Sequence, residues 1–230
     1  MKSFAFVATA LSFQSLSVKI SDHGWAWLVC GRRLFIWKYK DDSSRLASAC
    51  FELDLPPSDL SHKAELVTLI LPDSTKHSER NAVGLIAVSP EGSLRYWPNV
   101  AYESHSIETS VSDIHGEECF MLTNLNQTTC LLGTTTNTLV SITISDNDTM
   151  TPVSFRRLRA PQGVLAGFSK RVSSFIFGGA PSAQSSHERT MVRIVGGLPN
   201  EDSGESVMVL AGTFIQKWSL SGKSEQVTQT

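Results

Sequence analysis

The sequence predicts an all-β fold: a β-propeller of about four blades, interrupted by one amphipathic helix. Three observations carry this. Short apolar runs recur along the 230 residues, bounded by Gly, Asn, Asp, Ser and Pro, as buried strands joined by turns are. Four of them share one form, in which a strand, a tight turn and a second strand follow each other and an aliphatic residue precedes a large apolar one by three. These are WAWLVC before LFIW (Leu34, Trp37), GLIAVSPEG before SLRYW (Leu94, Trp97), TTCLLGTTTN before TLVSI (Leu139, Ile142) and VMVLAGT before FIQKW (Ile215, Trp218). The intervals between repeats suit a four-stranded blade of roughly 40–50 residues, with the last interval lengthened.

Residues 1–18 have no assigned element and supply no obvious closing strand. Lys2 followed by the apolar run Phe4 to Leu11 imitates a short signal peptide, and Asn126-Gln-Thr and Asn147-Asp-Thr are formal glycosylation sequons. A secreted propeller therefore stands as an alternative. The single basic charge, and the lack of a convincing small-x-small cleavage site followed by a clean mature start, weigh against it.

Residues 19–159 are expected to form propeller blades. The first three hairpins lie here, and the runs ACFELDL (49–55), ELVTLIL (65–71), SIETSV (106–111) and VSFRRL (153–158) supply other strands. The Trp residues are expected to fill the space between neighbouring blades. The repeat count makes a chain cut from a larger propeller the economical reading, with an open edge on its terminal blade.

Residues 160–186 break the strand pattern. Leu165, Phe168, Val172, Phe175 and Ile176 fall in steps that place them on one stripe at about 100° per residue. Gly163, Gly167, Lys170, Ser173 and Ser174 occupy the opposite face. Pro161 suits a first helical turn, and Gly178, Gly179 and Pro181 end the pattern. A membrane-surface helix that relies on anionic lipid carries many Lys and Arg on its polar face. This one offers Ser and Gly, with Lys170 and Arg171 its only charges, so it suits a membrane whose lipid packing is already defective, as on a tightly curved surface. The competing reading is a helix docked on the propeller itself. Residues 187–230 then return to a further, incomplete blade, after a stretch at 187–206 that reads as a loop.

Composition excludes several classes. With 22 acidic and 20 basic residues the net charge is −2, which offers no electrostatic case for direct nucleic-acid binding. No run approaches the roughly 20 apolar residues that span a bilayer. Cys30, Cys50, Cys119 and Cys130 form no CxxC pair, and their spacing fits neither a disulfide framework nor a metal site, so all four read as buried free thiols. P-loop, GxGxxG, HExxH and GxSxG patterns are missing, so neither a cofactor nor catalysis is expected. Asp113 and His115 share a turn-like stretch and read as a turn contact.

The blocks HGWAWLVCGRRLFIWKY (23–39), LDLPPSDL (53–60) and EGSLRYWP (91–98) closely resemble the N-terminal propeller of the nucleoporin-133 family. PQGVLAGFSKRVSSFIFG (161–178) resembles that family's membrane-curvature-sensing loop. The resemblance covers roughly residues 19–220. It implies a scaffold subunit of the Y-shaped outer-ring complex of the nuclear pore, at the nuclear envelope, supporting nucleocytoplasmic transport and mRNA export. It implies a seven-bladed propeller of which this chain holds about half. The helical stack that carries the contacts to other Y-complex nucleoporins lies outside it. The stripe Leu165, Phe168, Val172, Phe175 and Ile176 becomes the face inserted into the curved pore membrane, with Ser169, Ser173 and Ser174 on the small polar side. Residues 1–18 and 187–206 depart from the family pattern. A generic protein-binding propeller adaptor is the other alternative.

Overall fold

The computed structural model describes residues 16–40, 50–71, 82–114, 116–136, 138–145, 152–158, 191–198, 206–211 and 214–219. The chain divides into two compact units, Met1–Ser112 and Asp113–Thr230. Every regular element longer than a single 3₁₀ turn among the described residues is a β-strand.

The first unit holds two four-stranded antiparallel sheets with simple up-and-down order. Sheet 1 comprises β1 (Leu16–Ile20), β2 (Trp25–Cys30), β3 (Arg33–Lys38) and β4 (Phe51–Asp54). Sheet 2 comprises β5 (Val67–Ile70), β6 (Gly84–Val88), β7 (Ser93–Trp97) and β8 (Ile107–Ser110). Directly paired residues of an antiparallel ladder point to the same side. One face of sheet 1 therefore carries Trp27, Val29, Leu34, Ile36 and Leu53, and it packs on Val67, Leu69, Leu85, Ala87 and Trp97 of sheet 2. Two polar links close that core. The Trp27 indole donates to the Ala64 carbonyl at 3.0 Å, and Arg95 on β7 donates across to the Asp54 carbonyl while pairing with Glu108.

The second unit holds sheet 3, with β9 (Cys119–Asn124), β10 (Thr129–Thr134), β11 (Leu139–Ile144) and β12 (Val153–Leu158). It also holds sheet 4, with β13 (Met191–Leu198), β14 (Ser206–Ala211) and β15 (Phe214–Ser219). Leu131 and Leu139 of sheet 3 meet Ile194, Val207, Val209 and Trp218 of sheet 4 in a second core, with Leu158 packed at its margin.

The all-β expectation and the four sheets agree with the repeat reading. Trp97 and Trp218 fill inter-sheet cores as expected. Three strands went unread in the sequence. β1 crosses the boundary at residue 18 that left the start unassigned. β9 turns only Cys119 and Leu122 fully inward, so its alternation is faint. β13 lies inside 187–206, which the sequence suggested was a loop; Gly196 and Gly197 and a register shift between Val195 and Leu198 break its periodicity. One thiol also corrects the reading. Cys30, Cys119 and Cys130 are buried, but Cys50, just before the edge strand β4, is exposed.

Candidate functional site

Leu165, Phe168, Val172, Phe175 and Ile176 all lie within 159–190, outside the described residues. The structure does define where that segment leaves and returns. It joins β12, an edge strand of sheet 3, to β13, an edge strand of sheet 4. Sheets 1 and 2 are joined at the same place in the repeat by the short passage from β4 to β5. The amphipathic segment is thus an enlargement of one sheet-to-sheet connection, and the sheets it joins share a core.

The departure point is pinned. Glu117, in the connection that enters sheet 3, accepts hydrogen bonds from Thr134 Oγ1 at 2.6 Å and Thr138 Oγ1 at 3.0 Å. Arg157, near the end of β12, donates to Thr138 Oγ1 at 3.0 Å and reaches Glu117 Oε1 at 3.5 Å. Burial alone would raise the Glu117 pKa. The hydroxyls of Thr134, Thr136 and Thr138 and the Arg157 guanidinium outweigh it and hold the carboxyl below its usual range. With Leu158 packed against the core beside Arg157, the last described strand residues before the segment are held on both faces.

Sheet 2 repeats this joint with the roles exchanged. There Glu91 sits in the β6–β7 turn and reaches back to the entering connection, accepting from Ser58 Oγ at 2.6 Å, Asp59 N at 3.0 Å and Leu60 N at 2.8 Å. Burial again opposes ionisation, and the Ser58 and backbone hydrogen bonds again prevail, so the Glu91 pKa is lowered. The two turns share a backbone pattern. Ser89 N donates to Ser93 O and Ser93 N to Ser89 Oγ, as Thr134 N donates to Thr138 O and Thr138 N to Thr134 Oγ1. Gly92, at φ 92°, supplies the left-handed residue that turns the chain just after Glu91. Sequence reading missed both carboxylates; the visible signal was a Ser or Thr repeated four residues apart at the same turn.

The other residues singled out in the sequence are Asp113, His115 and the sequon asparagines. Asp113 lies in a 3₁₀ turn, Ser112–Ile114, and His115 lies outside the described residues. Among the described residues no group of three His, Cys, Asp or Glu is placed to hold a metal ion. The Asn126 side-chain carbonyl accepts from Thr128 N at 3.0 Å and Thr129 N at 2.9 Å, closing the β9–β10 turn. The first sequon asparagine thus has a structural task.

Comparison with known proteins adds the rest. The family model described as Nup133 N terminal like matches residues 9–229, so it takes in most of the unassigned start and the whole of 187–206. Nuclear pore complex protein Nup133 of Drosophila melanogaster is 32% identical over 223 residues, which are 90% of this chain and 18% of that protein. The Mus musculus Nup133 is 32% identical over 216 residues, 93% of this chain and 18% of that protein. The chain thus spans about a fifth of the length of these relatives. Among solved structures, the Vanderwaltozyma polyspora Nup133 β-propeller domain superposes with a TM-score of 0.53 at 16% identity, covering 94% of this chain and 49% of that one. The Chaetomium thermophilum Nup170 N-terminal domain, solved in complex with Nup53, gives a TM-score of 0.52 at 12% identity and covers 98% of this chain and 29% of that one. The fold is that of a β-propeller.

Proposed function

The chain belongs to the Nup133 N-terminal-like family, and from that membership we propose that it is a structural scaffold element of the nuclear pore, held at the nuclear envelope with other nuclear pore complex proteins. The match over residues 9–229 carries this reading. A scaffold needs shape and contact surface rather than chemistry, and two units built of sheets with dry inter-sheet cores supply the shape. Its proposed partners are other Y-complex nucleoporins, engaged in the relatives mainly through a helical region outside the part matched here, and the curved pore membrane. Support of nucleocytoplasmic transport and mRNA export follows from that place in the pore.

The membrane contact is assigned to Leu165, Phe168, Val172, Phe175 and Ile176. Support comes from their common stripe at helical spacing and from the Ser/Gly face opposite, which gives little attraction to anionic lipid. The pinned departure point adds to it: Arg157 and Leu158 fix β12, so force on the segment passes into the sheet 3–sheet 4 core. Insertion then depends on apolar burial alone, which a tightly curved surface favours by exposing packing defects. A fluorescently tagged full chain expressed in cultured fly cells is expected to mark the nuclear rim, and its Phe168→Asp variant to lose that enrichment. Uniform distribution of the unaltered chain would contradict the proposal.

A further inference from the structure

We propose that Ser58 is a phosphorylation site, and that phosphate there opens the joint that Glu91 closes at the entry to sheet 2. Ser58 lies in the β4–β5 connection, whose described residues 55–66 form no regular element beyond the 3₁₀ turn Ala64–Leu66. Pro57, Asp59, Leu60 and Ser61 are exposed and Ser58 itself is half-buried. The base of this loop is closed by its own contact. His62 and Pro56 are both buried, and His62 Nε2 donates to the Pro56 carbonyl at 2.9 Å. The tip is held through one carboxylate. Ser58 Oγ donates to Glu91 Oε2 at 2.6 Å and accepts from Leu60 N at 3.1 Å. Asp59 N and Leu60 N donate to Glu91 Oε1 at 3.0 and 2.8 Å. A single hydroxyl on a surface loop is thus the donor side chain of the joint.

The exchange of roles between the two joints is what brings this hydroxyl to the surface. In sheet 3 the hydroxyls of Thr134 and Thr138 belong to the turn and are buried, and the carboxylate sits in the connection. In sheet 2 the hydroxyl sits in the connection, after two prolines and before an aspartate. Pro56 and Pro57 have φ fixed near about −65° and disfavour helix before them, so the chain reaches Ser58 extended, on an accessible loop. Asp59 gives a serine kinase that selects an acid directly after its target the side chain it needs. In the transfer, Ser58 Oγ bonds to the γ-phosphorus of Mg-ATP and the bond from that phosphorus to the β,γ-bridging oxygen breaks. ADP leaves, and the hydroxyl proton passes to the kinase's base. The product bears about −1.5 to −2 charge at pH 7 where a donor stood. It faces the ionised Glu91, so a hydrogen bond is lost and repulsion takes its place. Arg32, which donates to the Leu55 carbonyl at 3.4 Å and acts electrostatically on His62 as Glu91 does, is the cation that draws the phosphate away from Glu91. The inference rests on the unit 1 geometry and is independent of the membrane reading.

The full chain, incubated with Mg-ATP and an extract of cultured fly cells, is expected to take up phosphate at Ser58, located by fragmentation of the tryptic peptide 46–63. Ser58→Ala should remove that signal, and Glu91→Ala should raise uptake several-fold because the hydroxyl is released. The consequence is read on the full chain made with genetically encoded phosphoserine at position 58. Amide exchange at Asp59 and Leu60 should be roughly tenfold faster than in the unmodified chain, with protection across β6 and β7 unchanged. In a Glu91→Lys background the sign should reverse. There the unmodified loop exchanges fast and phosphoserine at position 58 slows it, because repulsion has become an ion pair. Phosphoserine at position 61 should leave both amides as they are. Absence of phosphate from Ser58 in the unaltered chain overturns the site. Exchange indifferent to phosphoserine at position 58, or accelerated equally in the Glu91→Lys background, overturns the opening of the joint. None of these outcomes bears on flotation with liposomes, which reads residues 160–186.

Discussion

Glu117 accepts a 2.6 Å hydrogen bond from the Thr134 hydroxyl, joining the connection that enters sheet 3 to the turn between its second and third strands. Glu91 makes the mirror image of that link in sheet 2, from the turn to the hydroxyl of Ser58 in the entering connection. The same joint is closed by an accepting carboxylate in both sheets, placed on opposite sides of it.

Acid should open these joints. Both carboxyls are held below their usual pKa of about 4.5, so their contribution to stability is fully present above that value and is lost as the pH falls through the lowered, folded-state pKa. Glu117→Ala removes the acceptor for two buried hydroxyls and is expected to cost about 2 kcal/mol, a drop in melting temperature of about 4–8 °C at pH 7. The difference between the variant and the unaltered protein should shrink steadily below pH 4 in thermal melts. A constant difference across that range would contradict the role given to Glu117.

The inter-sheet tryptophans should be the costliest truncations. Trp97 and Trp218 are 1% and 2% exposed, each at the centre of a core shared by two sheets. Trp97→Ala or Trp218→Ala is expected to destabilise by about 3–5 kcal/mol in denaturant titrations. Tyr102→Ala, removing an aromatic ring that is 58% exposed, should change stability by less than about 0.5 kcal/mol.

Thiol labelling should separate the four cysteines into one and three. Cys50 is exposed, although burial of its sulfur and then the neighbouring Glu52 charge push its pKa up, so it should react more slowly than a free peptide thiol. Cys30 and Cys119 are shielded, and burial pushes the Cys130 thiol up to about 12. Mass spectrometry after a short pulse of iodoacetamide at pH 8 is expected to find a single adduct, at Cys50, and four adducts in denaturant.

Negative charge on the polar side of the amphipathic segment should oppose insertion, because the segment has few cations to offset it. The full chain with Ser173→Glu and Ser174→Glu is expected to float with small liposomes several-fold less than the unaltered chain. Equal flotation would show that this side remains in water whatever its charge.

The strands were legible where burial alternates or is continuous. WAWLVC, GLIAV and SLRYW declare themselves because one or both faces are dry. β9 and β13 were not legible, since β9 turns only every third residue fully inward and β13 is interrupted by paired glycines and a shifted register. β1 was hidden differently: its alternation Leu16, Val18, Ile20 is clear, but it follows an apolar run that competes for attention as a leader. The carboxylate joints were illegible because Glu117 and Thr134 meet only once the ladder of β9 and β10 is set, across a bulge at Gly133 and Thr134. The amphipathic stripe needs no partner to be read, since its residues are neighbours along one segment.

Flotation of the full chain with neutral liposomes of about 30 nm and about 200 nm radius, beside its Phe168→Asp variant, tests the proposed membrane anchoring most directly. Binding to the small vesicles, weak binding to the large ones and loss of both in the variant is the result expected of a segment that senses lipid packing. Equal binding at the two sizes, or none at either, would contradict it.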